Sequence, residues 1–256
     1  IFNETLNNKT MEEKCLELSE KYNMKIEIVD TPIIEISSSN IRKRVKEDLS
    51  INYLTPRRVI EYIEITDYIN DENLQTLKND IGEKRCSHSL NVMEECKKLA
   101  NNYGIEEEKA IIAGLYHDCG KFIQRSNAYE FIEQYNLVIK EESLKNYQLL
   151  HPALGYYVGK IKYNIKDEEI INAIYYHTTL RPDPTLLDKI VYIADAIEPS
   201  RDYEGVEDLR KLAYIDLDSA VLLSLENTII DIIKKKKYLG LDSIISRNHL
   251  LEKISR

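Results

Sequence analysis

The sequence has no excess of basic charge, no long apolar run and few cysteines. Its 256 residues carry a formal net charge of −9, which argues against binding nucleic acid through a broad basic face. No run approaches the about 18 uninterrupted apolar residues of a membrane helix, and no charged-then-apolar leader opens the chain. The four cysteines show no paired spacing, as is typical of reduced thiols. We therefore expect a cytoplasmic protein that binds neither membranes nor nucleic acid.

The composition that remains is that of a globular protein. Apolar residues make up 43% of the chain and charged residues 31%, and the length suits one large domain or two modest ones. With a negative overall charge, a polyanionic small substrate would need a local positive site. A metal ion, lysine and arginine side chains can supply such a site.

Histidine is also scarce, and one histidine stands beside an aspartate in the stretch Ala113-Gly-Leu-Tyr-His-Asp-Cys-Gly-Lys121. His117 and Asp118 end a helical pattern that Gly120 stops. Adjacent helical residues point about 100° apart, so both side chains reach one point only at the helix tip. A metal there would take imidazole nitrogen and carboxylate oxygen, and Lys121 could neutralise a nearby phosphate. For this pair alone, a histidine favoured by the helix dipole is the simpler interpretation.

Three further histidines and a second aspartate fall at marked places. His88 stands at the start of an amphipathic helix, and His151 opens a His-Pro segment. His177 and Asp195 each stand at the inner end of an apolar helical stripe, which is how helical bundles build metal sites. An ionised carboxylate on the apolar helix of Asp195 needs a partner, because burying it alone is costly.

The order His, His-Asp, His, His, Asp resembles that of the HD-domain metal-dependent phosphohydrolases. A narrower resemblance, to the YqeK branch of that superfamily, runs from about Asn79 to the C-terminus. Proteins of that branch are symmetrical hydrolases of diadenosine tetraphosphate, so the resemblance implies an enzyme that hydrolyses acid anhydrides. The segments that carry the resemblance are Arg85 with His88-Ser89, residues 115–121, His151-Pro152, residues 176–179, 193–201 and 205–210, and Arg247-Asn248.

With this resemblance, we assign His88, His117, Asp118 and Asp195 to one metal. The mixed nitrogen and oxygen donors suit iron, manganese or zinc, and the resemblance points to iron. His151 and His177 could complete a second metal with Asp118 bridging, or could face the substrate phosphates. We prefer the phosphate-facing role, because a second metal would need carboxylates that the sequence does not offer.

The reaction expected from these residues is attack of a metal-activated water on phosphorus. Asp118 and Lys121 are the expected catalytic residues, with Lys121 neutralising charge on the phosphoryl oxygens. Arg85 and Arg201 would hold distal phosphates by forked contacts, and Thr178 could add a hydroxyl. The remaining alternatives are hydrolysis of other nucleotides, including deoxynucleoside triphosphates or cyclic dinucleotides, and a module that senses nucleotides without turnover. A homodimer is also open.

The N-terminal part has a different pattern. A capping box at Thr10–Glu13 predicts a helix to about Tyr22, and residues 25–29 read as a strand. The segment Ile36-Ser-Ser-Ser-Asn-Ile-Arg42 favours an N-cap, with a phosphate cradle as the alternative. This segment resembles the C-terminal end of nicotinate-nucleotide adenylyltransferases, which would place Ser37, Ser38 and Arg42 against the adenylate phosphates.

The histidine motif with which those transferases bind nucleotide triphosphate has no counterpart in this chain. We therefore interpret residues 1–65 as a short α/β remnant of a Rossmann-like nucleotidyltransferase domain without transferase activity. Residues 66–78 would be a linker, and residues 79–256 an all-helical HD-domain bundle. The predicted fold class is mainly α.

Overall fold

The computed structural model describes residues 11–25, 37–47, 49–52, 54–56 and 70–255. Contacts divide the chain into two compact units, residues 1–56 and 57–256. All regular elements within the described ranges are helical and none is a strand, which confirms the mainly α fold class. No helix within these ranges has both the length and the apolar character needed to cross a membrane.

The first described helix, α1 (Met11–Tyr22), ends where its amphipathic pattern predicts. Lys21 stands in its last turn, where a positive charge interacts favourably with the helix dipole. Thr10, the threonine of the predicted capping box, lies outside the described residues. Residues 26–29 of the predicted strand lie outside them as well.

The second helix, α2 (Ser38–Lys46), begins in the serine-rich segment. The Ser37 side chain accepts a hydrogen bond from the backbone N–H of Asn40 at 3.1 Å, which is the N-cap contact favoured by the residues alone. The side chains of Ser38 and Arg42, which the transferase resemblance places near phosphate, lie outside the described parts. Their predicted role stays a prediction.

The second unit is a bundle of helices joined by short loops. Two short 3-10 turns, Cys119–Phe122 and Arg125–Asn127, interrupt the series. The helices are α3 (Asp71–Ile81), α4 (Glu83–Tyr103), α5 (Glu107–Tyr116), α6 (Ala128–Gln134), α7 (Glu141–Lys145), α8 (Tyr147–Ile161), α9 (Glu168–Tyr176), α10 (Leu186–Ile197), α11 (Val206–Ile215), α12 (Leu217–Lys234) and α13 (Leu241–Ile254).

Capping residues determine where several of these helices begin. The Asp167 side chain accepts hydrogen bonds from the first-turn backbone N–H groups of α9. Thr185 and Asp188 form a capping box at the start of α10. At their other ends, α5 and α9 stop at tyrosines, so His117 and His177 are the residues that directly follow these two helices.

Helix α3 takes in residues 71–78 of the segment that we expected to be a linker. Asn70 caps it, because its side chain accepts a hydrogen bond from the backbone N–H of Asn73 at 2.8 Å. Leu77 is fully buried, and Leu74 and Ile81 pack against the same core. These apolar residues at helical spacing attach α3 to the bundle.

The core of the bundle lies between α4, α5, α8, α9 and α10. Two glycines allow the 3-10 turn after α5 to approach the backbone of α8 closely. A Cβ atom built on Gly120 would lie 2.0 Å from the carbonyl oxygen of His151 and 2.4 Å from the nitrogen of Gly155. Only glycine fits at position 120 with this backbone, and this contact places the loop after His117 and Asp118 beside His151.

Candidate metal centre

Helix ends and one helix interior deliver the predicted ligands to a common point. His88 lies in the second turn of α4, and Asp195 in the last turn of α10. His117 and Asp118 follow the end of α5, as the sequence pattern predicts. Three segments distant in sequence therefore meet with their polar side chains together.

The first group of ligand atoms comes from His88, His117 and Asp195, which lie within 4.8 Å of one another. The Nε2 atom of His88 is 3.0 Å from Oδ1 of Asp195. The Nε2 atom of His117 is 4.0 Å from the same oxygen. Two imidazoles and a carboxylate at this spacing are a donor set suited to a divalent transition metal.

A second group forms deeper in the bundle around Asp118. His117, Asp118 and His177 also offer ligand atoms within 4.8 Å of one another. Oδ1 of Asp118 lies 3.4 Å from Nε2 of His151 and 3.5 Å from Nε2 of His177. The two Nε2 atoms are themselves 3.1 Å apart. His117 is therefore common to the two groups, and Oδ2 of Asp118 lies 3.7 Å from its Nε2 atom.

The hydrogen bonds of the deep histidines determine which ring nitrogen is free. The Nδ1 atoms of His117, His151 and His177 lie 2.7, 3.2 and 2.8 Å from backbone carbonyl oxygens, which only accept hydrogen bonds. Each Nδ1 must therefore carry the hydrogen, so Nε2 is the nitrogen that each ring presents to the centre, and in a neutral ring it carries no hydrogen. Lone pairs that face one another at such distances repel unless a proton or a metal ion lies among them.

Two buried atoms in the same place have no hydrogen-bond partner. They are Nε2 of His117 and Oδ1 of Asp118, and both residues are at most 1% exposed. Leaving buried acceptors unpaired costs about 1–3 kcal/mol for each group. A bound cation would satisfy both atoms at once, so the residues present fit a metal site.

The electrostatics of the cluster hold His117, His151 and Asp118 in the forms that bind metal. Burial lowers the pKa of both His117 and His151 to about 4, which keeps the rings neutral. Burial alone would raise the pKa of Asp118, but the polar rings of His117, His151 and His177 around its carboxylate hold it well below its usual range. Neutral imidazole and ionised carboxylate are the ligand forms of these side chains.

Three cations surround the two carboxylates. Lys121 donates to Oδ2 of Asp118 at 2.6 Å, and Arg85 lies 3.4 Å from the same oxygen. The guanidinium of Arg201 donates to Oδ1 of Asp195 at 2.5 Å. The sequence predicted all three as phosphate-binding residues, and the structure brings all three to the centre.

A cavity of about 840 Å³ opens on this centre. Beneath it lie His117, His151 and His177, each at most 2% exposed. Thr178 is placed elsewhere: it lines a small pocket together with Lys140 and Asp242, and its hydroxyl oxygen is buried without a hydrogen-bond partner. The cavity is lined by Ile81, Gly82, Glu83, Lys84, Arg85, Ser87, His88, Asn91, Asp118, Lys121, Glu198, Ser200 and Arg201.

One buried acid at the centre was not predicted as a site residue. Glu198 is 0% exposed, and its carboxylate lies 3.0 Å from Nδ1 of His88. It also accepts hydrogen bonds from the Asn91 amide and from the backbone N–H of Ser200. A signal was present, since Glu198 comes one helical turn after Asp195 at the end of the same apolar helix.

These features are those of a known domain class. Residues 85–200 match the family model described as HD domain. That range begins just before His88 and ends just after Asp195, so it includes all the ligand candidates described above. The class of protein that the fold and the site define is thus an HD-domain protein.

The chain is also similar to individual relatives. It is 37% identical to a protein of Halalkalibacterium halodurans named bis(5'-nucleosyl)-tetraphosphatase, symmetrical, over 70% of this chain and 95% of the relative. It is 34% identical to a probable nicotinate-nucleotide adenylyltransferase/Ap4A hydrolase of Mycoplasma genitalium, over 67% of this chain and 51% of that protein. A crystal structure of a predicted HD superfamily hydrolase involved in NAD metabolism, from Clostridium acetobutylicum, is 43% identical with a TM-score of 0.66. That match covers 75% of this chain and 97% of the other.

The chain belongs to the HD-domain hydrolase family that the symmetrical tetraphosphatases represent. The resemblance read from the sequence is thereby confirmed, for the HD domain and for the combination with adenylyltransferase-like sequence.

Proposed function

We propose that this protein hydrolyses diadenosine tetraphosphate symmetrically, in a metal-dependent reaction that yields two molecules of ADP. One observation carries the proposal: unprotonated ring nitrogens and a carboxylate converge beneath a cavity rimmed by cations. The relative of Halalkalibacterium halodurans bears the name of this activity and matches the chain over nearly its whole length. The substrate class is a small nucleotide.

The cavity suits a polyanion. It lies within the about 300–1,000 Å³ usual for small-molecule sites, and four cationic side chains line it: Lys84, Arg85, Lys121 and Arg201. The chain as a whole carries a net charge of −9, so this local concentration of positive charge stands out. Arginine can hold phosphate oxygens in pairs, and lysine acts as a point charge beside the reacting phosphorus.

A divalent metal bound here would lower the pKa of a water molecule and withdraw charge from phosphoryl oxygens. His88, His117, Asp118 and Asp195 are the residues that would hold it. Iron is the metal that the family resemblance favours, with manganese and zinc as alternatives that offer the same donor preferences. Lys121 lies beside Asp118 and is placed to neutralise negative charge on the substrate.

The deep position of His151 and His177 supports their alternative role as ligands of a second metal. Both side chains are 1% exposed, and both aim Nε2 at Oδ1 of Asp118. A phosphate in the cavity could reach these two histidines only by displacing residues that line the cavity, such as Asp118 and Lys121. Oδ1 of Asp118 faces this second group, while Oδ2 lies 3.7 Å from Nε2 of His117, a member of the first group, so the one carboxylate would serve both.

The proposal is tested by metal analysis combined with a turnover assay. Protein prepared without oxygen should contain at least one equivalent of a divalent metal, and chelation should abolish hydrolysis of diadenosine tetraphosphate. Returning iron, manganese or zinc separately identifies the metals that restore it. Full turnover after complete metal removal would contradict the proposal, as would an absence of turnover with each metal bound.

A broader nucleotide phosphohydrolase is the second candidate, and one observation favours it. Among the described residues that line the cavity, none is Phe, Tyr or Trp, the ring of His88 is engaged by Asp195 and Glu198, and Ile81 is the one large apolar residue. A site that grips phosphates and touches bases weakly would accept several nucleotides. Parallel assays with deoxynucleoside triphosphates and cyclic dinucleotides separate the two candidates, and binding without turnover would indicate a nucleotide sensor.

The cellular setting and the assembly state remain predictions. All four cysteines are free thiols and three of them are buried, which agrees with a reducing compartment such as the cytoplasm. A homodimer is retained as a prediction from the sequence. Size-exclusion chromatography with light scattering measures it directly.

A further inference from the structure

We infer that Glu198 is a positioning residue: its carboxylate fixes the ring of His88 so that Nε2, and not Nδ1, is offered to the metal. The inference rests on the metal site of the proposed function, but it does not depend on which nucleotide is hydrolysed. It adds to the four predicted ligands one supporting side chain, which acts through His88 and does not touch the metal.

The contact with His88 is buried and direct. Oε1 of Glu198 lies 3.0 Å from Nδ1 of His88, while Nε2 of the same ring lies 3.0 Å from Oδ1 of Asp195. The ring thus stands between two carboxylates, with one nitrogen assigned to each. Asp195 and Nε2 of His117 lie on the same side of the His88 ring. The nitrogen of His88 that faces the metal site is therefore Nε2, which is turned away from Glu198.

The other contacts of Glu198 show that it acts as a hydrogen-bond acceptor. Oε2 accepts from the backbone N–H of Ser200 at 2.7 Å and from the Asn91 amide at 3.0 Å. The Ser200 hydroxyl donates to Oε1. A carboxylate surrounded by donors has no hydrogen to give, so Nδ1 of His88 must donate to it, and Nε2, which faces Asp195 and His117, is the nitrogen left for the metal. Such carboxylate–histidine contacts orient metal ligands and set their tautomer.

The backbone around Glu198 is held as well. Arg210, on α11, donates to the carbonyl oxygens of Ile197, Glu198 and Arg201 at 2.8 to 2.9 Å. One guanidinium therefore closes the turn that carries Glu198 and Arg201 away from α10. The turn gives Glu198 a fixed position from which to orient His88.

The test compares Glu198 with Glu95, a second buried glutamate. Glu198→Gln keeps the shape but presents an amide N–H that must face either the Nδ1–H of His88 or the donors of Ser200 and Asn91. We expect the affinity for zinc or iron, measured by competition with a chelator, to fall about 10- to 100-fold. The matched control is Glu95→Gln, because Glu95 is a buried acid on α4, about two helical turns from His88, that pairs with Tyr214 and Lys98.

Glu95→Gln should leave metal affinity within about threefold of the parent, although both variants lower the temperature of unfolding. Equal losses of affinity in the two variants, or unchanged affinity in Glu198→Gln, would overturn the inference. A second measurement needs no variant at Glu198. The long-range proton–nitrogen NMR spectrum of the zinc-loaded full chain should show His88 with hydrogen on Nδ1 and metal on Nε2, assigned by comparison with His88→Gln. The opposite assignment would refute the positioning role even if Glu198→Gln did not fold.

Discussion

The contact between Gly120 and the backbone of α8 makes a prediction that links the fold to the site. A Cβ atom at position 120 would meet three backbone atoms, the carbonyl oxygen of His151 at 2.0 Å and the nitrogen and Cα of Gly155 at 2.4 and 2.8 Å. Real Cβ atoms essentially never approach closer than 3.0 Å, so in Gly120→Ala the turn and the helix must separate by at least about 1 Å.

The expected losses of stability and of turnover follow from the displacement of the turn from α8. Overpacking of a core of this density costs about 1–3 kcal/mol, and a clash with backbone atoms belongs at the upper end. The shift also separates Asp118, two residues before the glycine, from His151, whose carbonyl oxygen is the clashing atom. Because a misplacement of about 1 Å in a catalytic site can cost about 100-fold in rate, we expect a loss of turnover near that size.

The assay is urea unfolding of the metal-free protein together with chelator competition and turnover. Gly159→Ala is the matched control, since Gly159 lies on the same helix and its Cβ would meet the end of a flexible side chain, Cδ1 of Ile171 at 2.8 Å. The control should keep metal affinity and turnover within a few-fold. If Gly120→Ala has the same free energy of unfolding and the same metal affinity as the parent, the close approach does not set the geometry of the site.

Three further predictions concern the same centre. Asp118→Ala should remove bound metal and activity while the helical circular-dichroism signal stays nearly unchanged, and full metal retention would refute the ligand assignment. Deletion of residues 1–65 should leave turnover within a few-fold, because no proposed ligand lies there, and loss of turnover in a folded truncation would contradict that expectation. The full chain should make no nicotinate adenine dinucleotide. Because the pKa values of His117 and His151 are lowered to about 4, the unfolded chain binds more protons than the folded one between about pH 6.5 and 4. The free energy of unfolding of the metal-free protein should therefore fall over that range on acidification, and a flat profile from urea titrations would exclude buried neutral histidines.

The ligand candidates could be proposed from the sequence because their signals are local. His117 and Asp118 stand at a helix end marked by Gly120, and Asp195 is conspicuous as an acid on an apolar helix. Helical periodicity also predicted the bundle itself. The prediction needed no knowledge of which helices are neighbours, since the polar residue at the inner end of each stripe must face the interior.

Other features depend on partners distant in the chain, and they could not be read from spacing. The contact of Glu198 with His88 joins residues 110 positions apart. Thr178 follows His177 directly, yet successive side chains after a helix end point in different directions, and its hydroxyl faces another pocket. Residues 66–78 are mostly polar, so the sequence did not show that Leu77 among them is buried. Its burial depends on tertiary contacts.

The central claim is symmetrical cleavage, and the earliest products of diadenosine tetraphosphate test it most directly. Arg85 and Lys121 lie beside Asp118, while Arg201 lies beside Asp195, so cations flank the centre on both carboxylates. A chain of phosphates bound by these cations on both sides would have the metal near its middle. Chromatography of the first turnovers should show ADP alone, with the metal-free protein as the blank. ATP and AMP in equal amounts would contradict the account.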